Sequence, residues 1–145
     1  FNLLGDTIRA FDDPGSRPRR LVLAFQIQFL RPLGYAPDFD ACAACGAIEA
    51  QRWDFTIPDA KLYCNACVND VYSGSQFEPE LLETLRRLYA TPIGKIAQQE
   101  FSGDSLLAAF RFLDAFYRYH VEEYRFLKAL GVLQQMKTLS GNTSA

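Results

Sequence analysis

The sequence predicts a mainly α-helical domain with a small four-cysteine hairpin inserted into it. Three observations carry that prediction. Apolar residues follow helical spacing on both sides of the insert. All four cysteines fall between Cys42 and Cys67. The stretch between the two cysteine pairs alternates polar with apolar residues, as a short strand does. A chain of 145 residues fits one domain. Its 49% hydrophobic and 22% charged content is that of a soluble globular protein, and no apolar run is long enough to span a membrane.

In chain order, Leu3, Leu4, Thr7, Ile8 and Phe11 share one helical face. Asp12-Asp13-Pro14-Gly15-Ser16 breaks that helix. Arg17, Arg19 and Arg20 then cluster around Pro18, which reads first as a solvated helix start and second as a contact for a phosphate or an acidic peptide. From Leu21 to Leu33 the residues are apolar almost all round, which predicts a helix buried in a bundle, with Gly34 as its stop. Residues 1–41 therefore form the first helical part.

Cys42-Ala43-Ala44-Cys45-Gly46 and Cys64-Asn65-Ala66-Cys67 are two C-x2-C pairs with eighteen residues between them. Tetrahedral zinc needs four donors, and a two-residue gap lets one tight turn offer two thiolates to one ion. Gly46 suits a turn needing positive φ, while Val68 holds the equivalent place after the second pair. Arg52 to Ile57, the turn Pro58-Asp59-Ala60-Lys61, and Leu62-Tyr63 form the expected hairpin. Two disulfides or a C-x2-C redox pair are the competing readings. Paired spacing around a hairpin favours one closed metal site over residues 42–67, with Cys42, Cys45, Cys64 and Cys67 as ligands of one structural zinc. A closed four-cysteine site has no open position for chemistry. Four cysteines suited to metal, without a secretory signal, favour a reducing cytoplasm.

Residues 68–137 form the second helical part. Asn69 to Gln76 reads as a polar linker. Pro79 opens a helix with Leu81, Leu82, Leu85, Leu88 and Tyr89 inside and Arg86 and Arg87 outside. Thr91-Pro92 ends it, and Ile93 and Ile96 mark a short helix. Asp104 or Ser105 caps the next helix, whose face is Leu106, Phe110, Leu113, Tyr117 and Val121, widened by Leu107, Phe116 and His120. A further segment carries Tyr124, Phe126, Leu127 and Leu130. Residues 138–145 read as a disordered tail.

The other constellations favour no enzyme. His120-Val121-Glu122 beside a C-x2-C pair has the parts of a zinc deaminase in the wrong order, so His120 reads as a helix residue at the core edge. A cysteine–histidine nucleophile needs a free thiolate that the zinc reading does not leave. Glu122-Glu123 and Asp12-Asp13 read as solvated faces. The formal net charge is −2. Four thiolates and one Zn²⁺ take it to about −4, which argues against a strong general nucleic-acid surface.

The apolar helix, then Leu33-Gly34-Tyr35-Ala36-Pro37, then Asp40-x-Cys42-x2-Cys45-Gly46, the hairpin and Cys64-x2-Cys67 together resemble the C-terminal part of the bacterial RecO family. The likeness runs from about Leu3 to Leu133 and includes the His120 region and Arg125-Phe126-Leu127. It implies a non-enzymatic mediator of the RecF pathway of DNA repair and recombination. Such a protein helps RecA load onto single-stranded DNA coated by the single-stranded-DNA-binding protein SSB, and anneals strands. It also implies RecR as partner, a bacterial cytoplasmic, nucleoid-associated location, and the four cysteines as the family's metal positions. In that family an N-terminal OB-fold domain holds much of the DNA; residues 1–145 do not include it, and single-stranded DNA is expected to bind mainly through that missing domain. The family's basic loop after the histidine helix is replaced by Glu122-Glu123-Tyr124, so no contact is carried over from it. For the SSB C-terminal tail the expectation is an apolar groove beside Arg17, Arg19, Arg20, Arg86 or Arg87. The alternative function is a stand-alone zinc ribbon touching nucleic acid through Arg52, Trp53 and Lys61.

Overall fold

The computed structural model describes residues 2–68 and 75–121. About half of the described residues are helical, and a small sheet accompanies them. Helix α1 is Leu3–Asp12, α2 Pro18–Phe29, α3 Pro79–Ala90 and α4 Gly103–His120. A 3₁₀ segment, Ile93–Gln98, joins α3 to α4. Strands β1 (Trp53–Thr56), β2 (Lys61–Cys64) and β3 (Ser75–Phe77) form an antiparallel sheet in the order β2-β1-β3. The mainly α expectation fits at this level. The sheet, however, has three strands, and its third comes from the stretch read as polar linker. Ser75 and Gln76 are exposed, so only Phe77, opposite Trp53, signalled a strand there.

Local chemistry explains the helix ends. The Asn2 side chain accepts from the Gly5 amide and opens α1. Pro18 and Pro79 occupy first-turn positions of α2 and α3, where a missing N–H costs nothing. α2 ends sooner than its apolar run. Its last regular residue is Phe29, and the chain turns through Gly34 at φ 85°, with the Tyr35 amide bonded to the Leu30 carbonyl. Ser102, rather than Asp104 or Ser105, caps α4 by accepting from the Ser105 amide at 3.1 Å.

The helices pack along narrower faces than their apolar arcs suggest. α1 buries Leu3 and Thr7 against its neighbours, while Leu4 and Ile8 are 61% and 54% exposed. Thr7 stays buried because its hydroxyl donates to the Leu3 carbonyl at 2.6 Å. α2 packs on the other three helices and the 3₁₀ segment, with Leu21, Leu23, Ala24 and Ile27 in the core and Leu30 buried just past its end. The Tyr117 hydroxyl donates to the Gln26 carbonyl at 2.7 Å and ties α4 to α2. α4 turns Leu106, Ala109, Phe112, Leu113, Phe116 and Tyr117 inward, while Phe110 is only half-buried. Phe112, absent from the expected face, faces the sheet. The segment with Tyr124, Phe126, Leu127 and Leu130, and the tail 138–145, lie outside the described residues. Among the described residues no helix is long and apolar enough to cross a membrane.

Candidate metal centre

Two turns, each hydrogen-bonded to the sheet region, present the cysteines. In the first, the Gly46 amide bonds to the Cys42 carbonyl at 2.9 Å and the Cys42 amide to the Ala47 carbonyl at 2.8 Å. Gly46 has φ 78°, and a Cβ there would meet nothing within 4 Å. Glycine is needed for its backbone, not for space. In the second turn, the Cys67 and Val68 amides bond to the Cys64 carbonyl at 3.0 and 3.1 Å. Cys64 ends β2 opposite Trp53, and the Ala43 amide reaches the Leu62 carbonyl at 2.8 Å. That last bond fixes the first turn beside the strand that carries the second.

The four Sγ atoms converge within 4.8 Å of one another. Cys45 Sγ and Cys64 Sγ are 3.7 Å apart. Four Zn–S bonds of about 2.3 Å in a tetrahedron give edges of about 3.8 Å, so this separation fits a shared ion. All four cysteines are unpaired as disulfides. Cys42 and Cys64 are buried, Cys67 is half-buried and Cys45 faces solvent. The donor set is soft and closed, the chemistry that suits zinc without a free coordination position.

The electrostatics show what an ion would relieve. Burial pushes the Cys42 thiol up, but the backbone amides of Cys64, Cys45 and Ala44 outweigh it and bring it down to about 6. Cys67 is pushed up to about 12, first by the neighbouring Cys45 and Cys64 sulfurs and then by burial. Several thiolates in one small space repel one another, and a divalent cation makes their joint ionisation favourable.

The expected arginines have different surroundings. Arg20 is buried, and its guanidinium donates to the Gln99 carbonyl at 2.6 Å and to that of Ala97 at 3.4 Å. Arg87 lies 4.4 Å from the Phe101 ring and donates to Gln99 Oε1 at 2.9 Å. Arg20 also approaches that ring, at 5.9 Å, so these two share one cluster. Arg86 serves another place, where its Nε donates to the Phe39 carbonyl at 2.8 Å. Arg86 and Arg87 are thus half-buried rather than outside. Arg17 is exposed and Arg19 half-buried at the start of α2. On the sheet, Lys61 is exposed, Arg52 leans on Asp54 at 3.3 Å, and Trp53 keeps only 8% of its surface.

His120 joins the helices to the hairpin turn. Its Nε2 donates to the Ile57 carbonyl at 2.7 Å, and its ring lies against Phe116, Tyr119 and Tyr35. No local signal in the sequence pairs residues 63 positions apart.

Residues 1–129 match the family model described as "Recombination protein O C terminal". Curated relatives agree. A DNA repair protein RecO of Lawsonia intracellularis is 28% identical over 126 residues, which cover 81% of this chain and 51% of that protein. One from Nitratidesulfovibrio vulgaris is 29% identical over 70% of this chain and 42% of its own length. One from Symbiobacterium thermophilum is 25% identical over 80% and 47%. The chain spans about half the length of the curated relatives it matches. No solved structure shows significant similarity to it.

Proposed function

Because the chain belongs to the RecO family, whose C-terminal region it matches over residues 1–129, we propose that it is the zinc-stabilised helical part of a non-enzymatic recombination mediator in DNA repair. The observation that carries the zinc half of this reading is the convergence of Cys42, Cys45, Cys64 and Cys67. One Zn²⁺ held by four thiolates stabilises the two turns and the strands between them, and takes no part in chemistry. We read the chain as a helical part over 1–41, a metal-binding insert over 42–67, and a second part over 68–137 that contributes β3, α3 and α4.

The family supports the wider role. The full-length protein would act in the RecF pathway, aiding RecA loading on SSB-coated single-stranded DNA and annealing strands, in the bacterial cytoplasm at the nucleoid. This region would serve partner binding, with RecR and the acidic SSB C-terminal tail as partners. Single-stranded DNA would be held mainly by the other half of the full-length protein. Arg17 and Arg19 are the exposed or half-exposed cations for a tail, beside the Arg20–Arg87–Phe101 cluster; Arg86 is half-buried, with its Nε held by the Phe39 carbonyl. The stand-alone zinc-ribbon reading is less well supported. It needs Trp53 to offer its ring, and that ring is buried.

The test pairs metal analysis by mass spectrometry with titration of a fluorescent SSB C-terminal tail peptide. One zinc per chain and saturable, salt-sensitive binding, weakened by Arg17→Glu with Arg19→Glu, is the expected result. Absence of metal removes the structural-zinc reading. Zinc without tail binding removes the tail from the functions of this region.

A further inference from the structure

The sheet that carries Cys64 has no core of its own. Phe55 on β1 is 1% exposed, and the rings around it come mostly from outside the insert. Phe77 stacks on it at 5.2 Å, Phe112 of α4 meets it edge-on at 5.2 Å, and Phe116 lies at 6.3 Å. Phe39, three residues before Cys42, is 5.5 Å from Phe55 and 6.1 Å from Phe112. Two polar contacts run beside this seam: Arg86 of α3 to the Phe39 carbonyl, and His120 of α4 to the Ile57 carbonyl. A unit of some thirty residues is below the size, about 40 residues, at which a chain usually builds a stable core alone.

We propose that the aromatic seam Phe39–Phe55–Phe77–Phe112–Phe116 couples the four-cysteine site to the helices in both directions. The helical body sets how tightly the four thiolates hold their ion, and the ion sets how firmly α4 is held. Phe112 is the residue through which the coupling is most exposed to test. It ligates nothing, yet its ring touches Phe39, Phe55, Phe77 and Phe116. The physical ground is linkage. The turns that place Cys42 and Cys64 are hydrogen-bonded to strands whose inner face is covered by α4. Loosening either side uncovers Phe55, and any group that favours the folded arrangement raises the affinity of whatever else favours it. α1 and the 3₁₀ segment pack on α2 and each other, and none of the five rings belongs to them.

The proposal rests on the zinc reading, and the experiment separates the two. Zinc affinity of the whole chain is measured by competition with a chromophoric chelator. Phe112→Leu is expected to weaken it at least tenfold. Ile96→Ala, a fully buried change in the 3₁₀ segment, is expected to stay within threefold of the unaltered chain. Equal affinity in Phe112→Leu overturns the coupling while leaving zinc in place. So does an Ile96→Ala loss as large as that of Phe112→Leu, which would mark general destabilisation. If Phe112→Leu does not fold, Arg86→Gln replaces it, and unchanged affinity there counts against the coupling. The reciprocal arm needs no variant. On chelation, amide exchange over residues 109–117 should accelerate at least tenfold more than over residues 5–11, and uniform or unchanged exchange overturns the proposal. An unaltered chain that takes up no zinc ends both readings.

Discussion

Ala60 sits at φ 56°, the one positive-φ residue other than glycine among those described, in the turn between β1 and β2. A Cβ in the left-handed region costs about 1 kcal/mol, which glycine does not incur. Ala60→Gly should therefore leave the hairpin intact and change stability by no more than about 0.5–1 kcal/mol, in the stabilising direction, because unfolded-state entropy offsets part of the gain. Chemical denaturation of the two chains side by side checks it; a clear loss would mean the methyl, half-buried here, contributes packing that outweighs the strain. Residue chemistry also predicts how the candidate metal site responds to acid. Zinc needs every ligand as thiolate, and the Cys67 thiol, pushed up to about 12, resists ionising without a cation. Zinc uptake should therefore release protons, and apparent affinity should fall steadily from pH 8 to pH 6. Calorimetric titration in buffers of different ionisation enthalpy measures the released protons, and a pH-independent affinity would contradict a thiolate site.

At the scale of elements, the start of α4 is held by α3. Ser102 caps the helix, and the Ser102 and Ser105 hydroxyls both donate to Glu80 Oε1 from the first turn of α3. Those two bonds hold the Glu80 carboxyl below the usual carboxylate range. A depressed folded-state pKa adds stability that is fully present above the unfolded value and lost as pH falls through the folded one. The stability of the unaltered chain should thus decline below about pH 4.3, and Glu80→Gln should flatten part of that decline while lowering stability at pH 7. Thermal unfolding of both chains across pH 3 to 7 checks it. Because Glu80 is exposed, the effect at neutral pH should be modest. The same junction shows how far sequence reading reached. Pro79, Thr91-Pro92 and the leucine spacing mark α3, because proline and period act locally. Ser102 was overshadowed by its neighbours Asp104 and Ser105, because all three are capable caps and the local sequence does not select among them. The cysteine pairs were legible because metal spacing is itself a local rule. Phe112 was not, since a broad apolar helix offers several faces and only the sheet decides which one turns inward. Arg86 and Arg87 were misplaced for a related reason. Long cationic side chains bury their stems and send their heads to carbonyls or rings that come from elsewhere in the chain.

For the whole molecule, the deciding quantities are charge and cooperativity. The chain carries a formal −2, and four thiolates with one Zn²⁺ would make it about −4. Phosphate contacts supply most of the affinity for single-stranded DNA, with a salt dependence that counts them. Several of this region's cations are already engaged: Arg20 with carbonyls, Arg87 with Phe101, Arg86 with Phe39, and Arg118 with Asp114 at 2.8 Å. Zinc-loaded chain should accordingly bind single-stranded DNA weakly, at high micromolar levels or beyond in moderate salt, and with a shallow dependence on salt concentration. Fluorescence anisotropy with a labelled oligonucleotide at several salt concentrations checks it. Tight binding with a steep slope would place DNA contact on this chain and return the exposed Lys61 and Arg52 to consideration. Cys64→Ala separates charge from fold in the same assay. Removing one ligand should unfold the sheet at a cost of several kcal/mol, since structural zinc binding contributes directly to folding. If the aromatic seam couples sheet to helices, that loss should also lower the cooperativity of helix unfolding seen by circular dichroism. A stable, metal-free and fully folded Cys64→Ala chain would leave the cysteine cluster without a structural role.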